Sequence, residues 1–168
     1  MLVLGIDPGT AITGWGVVSK DADDPHLVDY GTIDTSKNTP LPQRLLTIHR
    51  ELGEIISQHR ADAVAVEKLF FSKNVRTALT VGQARGVALL AVAEGGVPLY
   101  EYTPLEVKQS VVGYGRATKD QVQQLVKLLL SLDFIPQPDD AADAIAVAIC
   151  HIHSARLQAI LAEQEGER

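Results

Sequence analysis

Cysteine is almost absent from this chain: Cys150 is the one thiol in 168 residues. A single cysteine excludes an internal disulfide framework and fits a reducing cytoplasm. Set in an apolar helical stretch, Cys150 reads as a small core residue. Long apolar runs are missing too, and none approaches the roughly 20 residues of a membrane span. No cationic segment followed by an apolar one opens the chain, because Asp7 interrupts the first apolar run, so a secretory leader is not expected. Internal repeats, linkers and low-complexity blocks are lacking. An excess of positive charge is lacking as well: the net charge is −6, which by itself speaks against a nucleic-acid partner.

The distribution of charge reverses that reading. Between Lys68 and Lys127 stand eight cations, Lys68, Lys73, Arg76, Arg85, Lys108, Arg116, Lys119 and Lys127, against four acids, Glu94, Glu101, Glu106 and Asp120. A locally basic middle can bind phosphates while the whole molecule stays acidic; a solvated set of helices explains the same count equally well.

Length and composition bound the chain to one domain, expected over 1–162, with a charged tail over 163–168. Three strands come first, at about 2–7, 12–19 and 27–33, with Gly9 and the polar run Lys20–Pro25 supplying turns. Leu45, Ile48, Leu52, Ile55 and Ile56 lie on one face of a helix from about Pro42 to His59. Ala63-Val64-Ala65-Val66 reads as a strand buried on both faces and ending in Glu67. Asn74 is placed to cap a long helix ending at Gly95-Gly96. A strand over Val97–Tyr102 is followed by Thr103-Pro104, a helix start. Thr118 and Gln121 form a capping-box pattern. The last helix runs from about Asp140 to Ala162, with Asp139 as its N-cap. The order βββαβαβααα predicts an α/β domain with a mixed sheet, an antiparallel meander followed by parallel strands.

Two apolar strands therefore end in carboxylates, Asp7 and Glu67. Ligand sites in open α/β sheets gather at the carboxyl ends of strands. Asp140 and Asp143, three apart on a helix, share a face with Cβ atoms about 5–6 Å apart. Each acid alone is readily a solvated strand end or a helix-dipole partner. Together they describe a cluster whose members repel one another unless a cation neutralises them. Mg²⁺ suits such hard oxygen ligands, and two such ions about 3.5–4 Å apart suit phosphodiester hydrolysis.

The segments GIDPGT…TGWGV, VEKLFFSKN, GQARGV, VKQSVVGYG and DDAADAIAVAICH, in that order over roughly residues 2–156, resemble the RuvC family of bacterial Holliday-junction resolvases. The resemblance implies a ribonuclease-H-like fold, a homodimer, and metal-dependent cleavage that places two symmetric nicks across a four-way DNA junction in recombination and repair. It implies Mg²⁺, with Mn²⁺ as substitute, and the branch-migration proteins RuvA and RuvB as partners. It places the catalytic, metal-holding acids on Asp7, Glu67, Asp140 and Asp143. It places base stacking on Phe70, leaving Phe71 to the core, and backbone contacts on Lys108 and Lys119. Lys119 sits in the first turn of its helix, an unfavourable place for a cation that hints at a phosphate. Lys73, Arg76, Arg85 and Arg116 are weaker phosphate-contact candidates. Gly82 and Gly86, four apart, suit close helix approach, internally or between copies. His151 and His153, two apart on a helix, face different directions and read as structural or surface residues, not a zinc pair.

Three rival readings remain. DPGTAITG also resembles the phosphate-gripping hairpin of actin-like and sugar-kinase ATPases, but those carry a second domain and leave Asp140 and Asp143 unexplained. A small ribonuclease-H-like nuclease that trims RNA precursors shares Asp7 but not FFSKN or GQARGV. A junction-binding protein without activity does not need the acids. ATP binding, RNA processing and metal-free junction binding separate the three.

Overall fold

The computed structural model describes residues 1–21, 24–68 and 75–166, with side chains omitted at 75–77 and from 156 onward. Five strands form one sheet in the order β3-β2-β1-β4-β5. Here β1 is Leu2–Asp7, β2 Ile12–Ser19, β3 His26–Asp34, β4 Ala63–Glu67 and β5 Leu99–Tyr102. The first three are an antiparallel meander; β4 joins β1 in parallel, and β5 joins β4 in parallel. The helices are α1 (Leu41–His59), α2 (Val75–Glu94), α3 (Pro104–Val112), α4 (Lys119–Leu129) and α5 (Asp139–Gly166). The mixed sheet expected from the element order is the sheet observed.

Strand alternation sorts the sheet into two cores. Leu4, Ile6, Val64 and Val66 face α1 and α2, where Ile48, Leu52, Ala84 and Ala88 meet them. Val3 and Ala65 face the other way, into a core with Val107, Val122, Ile145 and Ile149 of α3, α4 and α5. The glycines of the first two strands belong to this second face. A Cβ at Gly5 would strike the carbonyl oxygen of Ala144, one at Gly14 that of Asp140, and one at Gly16 the side chain of Ile145. The backbone of α5 thus beds directly on β1 and β2, closer than any side chain permits. Cys150 is buried in that helix as expected, its thiol pushed up to about 11 by burial.

Local signals hold at most helix ends. Thr118 and Gln121 form the expected capping box, Thr103 and Glu106 form a second one, and Arg60 and Gly113 end α1 and α3 in the left-handed region. Three boundaries differ. The fifth strand starts at Leu99, not Val97. Asp139 is not an N-cap but lies in the first turn of α5, since Ala141 and Ala142 N–H donate to Pro138 O. The same helix continues to Gly166 instead of stopping near 162, through Ala, Glu and Gln residues that favour helix. The expected cap at Asn74 lies outside the described residues.

Candidate active site

Asp7 and Glu67 are brought together by strand register. β1 and β4 pair Ile6 with Val66 in parallel, so the next residue of each strand leaves the sheet at the same level. Because Val3 and Ala65 face α5, the two-residue alternation sends Asp7 and Glu67 to that face as well. The small pair Gly5–Ala65, matched across the strands, leaves room for α5 to carry its acids up to them. Asp140 and Asp143 sit in its first turns, Asp140 directly over Gly14, which pairs with Asp7.

The electrostatics report the convergence. Burial raises the pKa of Asp7 from 3.8 to about 7, and the charges of Glu67, Asp143 and Asp140 push it the same way. Glu67 is raised by burial and by Asp143, against the pull of Lys108 and Lys119. Asp143 is raised by burial, partly relieved by a hydrogen bond from Lys119. Lys119 Nζ lies 2.8 Å from Asp143 and 3.4 Å from Asp139. Burial pulls the Lys119 ammonium down, but its bond and charge attraction to Asp143 leave its pKa raised. Asp139 behaves differently: it accepts a 2.9 Å hydrogen bond from Gln123 Nε2, and that bond, with Lys119, lowers its pKa. Asp139 therefore belongs to the α4–α5 contact, and Asp140 and Asp143 belong to the cluster.

Ligand chemistry follows from this donor set. All the donors are carboxylate oxygens, which suit a hard divalent cation, and their mutual repulsion is what such a cation relieves. Among the described residues no three His, Cys, Asp or Glu side chains form a ready-made cage; the Lys119 ammonium is the countercharge that approaches Asp143. The four acids fit a cation that would draw them inward.

The turn that presents Asp7 is braced from two sides. Thr13 Oγ1 donates to Gly9 O at 2.7 Å. Arg44 on α1 donates from Nη2 to Thr10 O at 2.7 Å and from Nε to Thr35 Oγ1 at 2.8 Å, and Thr35 Oγ1 itself donates to Thr10 O. Arg44 escaped the sequence reading because no local pattern ties a helical arginine to a turn more than thirty residues earlier.

The remaining candidates scatter. Lys108 and Lys119 line one hollow with Glu67 and Asp143. Arg85 lies on the other side of Glu67 and is ion-paired with Glu101, which weakens its candidacy for a phosphate. Arg116 is exposed in the α3–α4 connection, lining neither hollow. Phe70, Phe71 and Lys73, and the side chain of Arg76, lie outside the described residues. His151 is buried and shares a 2.8 Å hydrogen bond with the Tyr102 hydroxyl, while His153 meets Ser110 at 3.1 Å; both are structural contacts.

Comparison with known proteins gives the family. Residues 3–151 match the sequence family described as crossover junction endodeoxyribonuclease RuvC. The crossover junction endodeoxyribonuclease RuvC of Ruminiclostridium cellulolyticum is 55% identical over 161 residues, covering 96% of this chain and 97% of that one. Its counterpart in Chloroflexus aggregans is 57% identical over 155 residues, covering 92% and 94%. Thermus thermophilus RuvC, solved in complex with a Holliday junction substrate, superposes with a TM-score of 0.89 at 40% identity, covering 94% and 96%. With the ribonuclease-H-like sheet and the strand-end acids in place, these likenesses over nearly the whole length make the chain a member of the RuvC family of crossover junction endodeoxyribonucleases.

Proposed function

We propose that this chain resolves four-way DNA junctions by hydrolysing one phosphodiester in each of two opposed strands, in homologous recombination and repair. The observation that carries the reading is the meeting of Asp7, Glu67 and Asp143 from two strands and a helix, each with its pKa raised by burial and by its neighbours. Groups so perturbed collect where chemistry is done. Asp7, Glu67, Asp140 and Asp143 would hold two divalent cations, Mg²⁺ with Mn²⁺ as substitute, which supply Lewis acidity and an activated water when bound. The chain's own residues do the rest. The braced turn fixes Asp7, and the α5 backbone seated on Gly5 and Gly14 fixes Asp140 and Asp143. Lys108 and Lys119 offer ammonium groups to the DNA backbone beside the cleaved bond. Phe70 is assigned to stack on an unpaired base of the opened junction. No serine or cysteine nucleophile is required.

Symmetric cutting requires two sites related by a two-fold axis, hence a homodimer. The outward side of α2 supports one: Leu79 and Leu90 are 64% and 53% exposed, and a Cβ on Gly86 would meet nothing among the described residues, so this glycine serves no internal contact among them. RuvA and RuvB, as partners that move the junction, complete the reading. No helix among the described residues is long and apolar enough to cross a membrane, in keeping with work on DNA in the cytoplasm.

The test is cleavage of a synthetic four-way junction beside a linear duplex of the same sequence, with and without Mg²⁺ or Mn²⁺. Paired nicks confined to the junction and dependent on metal are expected. Equal cutting of the duplex, or cutting in chelator, overturns the reading.

A further inference from the structure

The carboxyl edge of the sheet has a hollow on each face. One, of about 190 Å³, lies on the α3–α4–α5 side and holds Lys108, Lys119 and Asp143. The other, of about 210 Å³, lies on the α2 side and holds Lys68, Val81 and Arg85 with Asp7 and Pro8. Glu67 and Pro104 border both, so they form the ridge between. A DNA strand laid over the edge with its cleaved phosphate at Asp7 and Glu67 would run its flanking phosphates toward the two hollows. The first has Lys108 to receive one, with Lys119 beside it on Asp143 and Asp139. In the second, Arg85 is already bound to Glu101. Lys68 remains: it is exposed and forms no ion pair among the described residues. Lys68 acts on Glu106 through space, but the Glu106 carboxylate accepts from Thr103 N–H and Oγ1 at 2.7 and 2.8 Å. Lys68, the residue after β4, lines this hollow with Val81 and Arg85 of α2, and its N–H donates to Tyr102 O at 2.7 Å, which anchors the backbone from which it projects.

We propose that Lys68 holds the phosphate next to the cleaved one, on the face of the sheet opposite Lys108 and Lys119. The assignment rests on the reading of the acid cluster as the cutting site. It makes Lys68 a substrate contact that recognises charge and carries no base preference.

Two measurements test it. Junction binding is followed against salt in the Asp7→Asn protein, alone and with Lys68→Ala or Lys68→Arg added. Removing the lysine should flatten the salt dependence by about one counterion, and arginine should restore it. Cleavage is then measured on junctions carrying one uncharged methylphosphonate on either side of the cleaved bond. Lys68→Ala should slow cleavage of the normal junction about tenfold, as loss of one charge-assisted contact does. Neutralising one particular flank should slow the wild type equally and Lys68→Ala no further. An unchanged salt slope, additive losses at both flanks, or an arginine variant as poor as alanine overturns the proposal. If the wild type fails to cut at all, the reading of the acid cluster has failed, and the binding series still judges Lys68.

Discussion

Two charged groupings lie side by side at the carboxyl edge of the sheet, and they handle burial in opposite ways. In one, Arg85 of α2 meets Glu101 of β5, a cation and an anion that neutralise each other at 20% and 35% side-chain exposure. One strand away, Asp7 and Glu67 meet Asp143 with Lys119 as their close countercharge. The first grouping balances its own charge. The second carries more negative charge than the chain balances, and burial, with those charges, makes Asp7 hold its proton up to about pH 7. Had the acids been there for stability, burying them against one another would be the wrong arrangement. Their arrangement makes sense for a site that is completed by a cation from outside.

Breaking the incomplete cluster should have the largest effect. Asp7→Asn should lower metal-dependent junction cleavage by about a thousandfold or more, the scale expected when a group essential to metal catalysis is lost. Junction binding should persist, and a gel-shift assay beside the cleavage assay separates the two. Loss of both would make Asp7 a structural residue.

Crowding the glycine bed comes next. Gly14→Ala forces a methyl against the carbonyl oxygen of Asp140, so α5 must lift. A loss of about 2–3 kcal/mol in denaturant unfolding is expected, as for overpacked cores. Cleavage should fall further than the remaining folded fraction accounts for, because Asp140 and Asp143 move with the helix.

Stability against pH gives the sharpest contrast between the two groupings. The folded pKa of Asp7 lies above its unfolded value of 3.8. The native state therefore binds the extra proton between about pH 4 and pH 7, and stability falls as pH rises through that window. In chelator, Asp7→Asn should then stabilise the protein above pH 7, on the order of 2 kcal/mol, and the gain should vanish near pH 4. A destabilised Asp7→Asn protein at pH 8 would contradict the assigned strain. Arg85→Ala should do the reverse. It leaves Glu101 without its partner at a half-buried position, and a loss of about 1–2 kcal/mol is expected at neutral pH, measurable by the same unfolding curves.

Much of the molecule was legible in advance, for identifiable reasons. Asp7 and Glu67 could be singled out because each ends an apolar strand, a position where a carboxylate is conspicuous. Asp140 and Asp143 declared themselves by helical spacing, and Thr118 with Gln121 by a capping pattern that spans four residues. These are local signals, carried by neighbours in the chain. Asp139 was misassigned as a cap because its partner, Gln123, belongs to another helix. Arg44 gave no signal because the turn it braces is distant in sequence.

The order of strands and helices, the inventory of acids and the family could all be read from the chain alone, since periodicity, caps and motifs are written in short stretches of residues. Which charges are compensated is settled by the folded arrangement. Arg85 and Lys68 read alike in the sequence, as cations in a basic stretch, yet one is bound to Glu101 and the other stands exposed beside Asp7 and Glu67. That distinction depends on parallel register and on which face of the sheet each helix covers, and Coulomb interactions follow distance in space, not position along the chain.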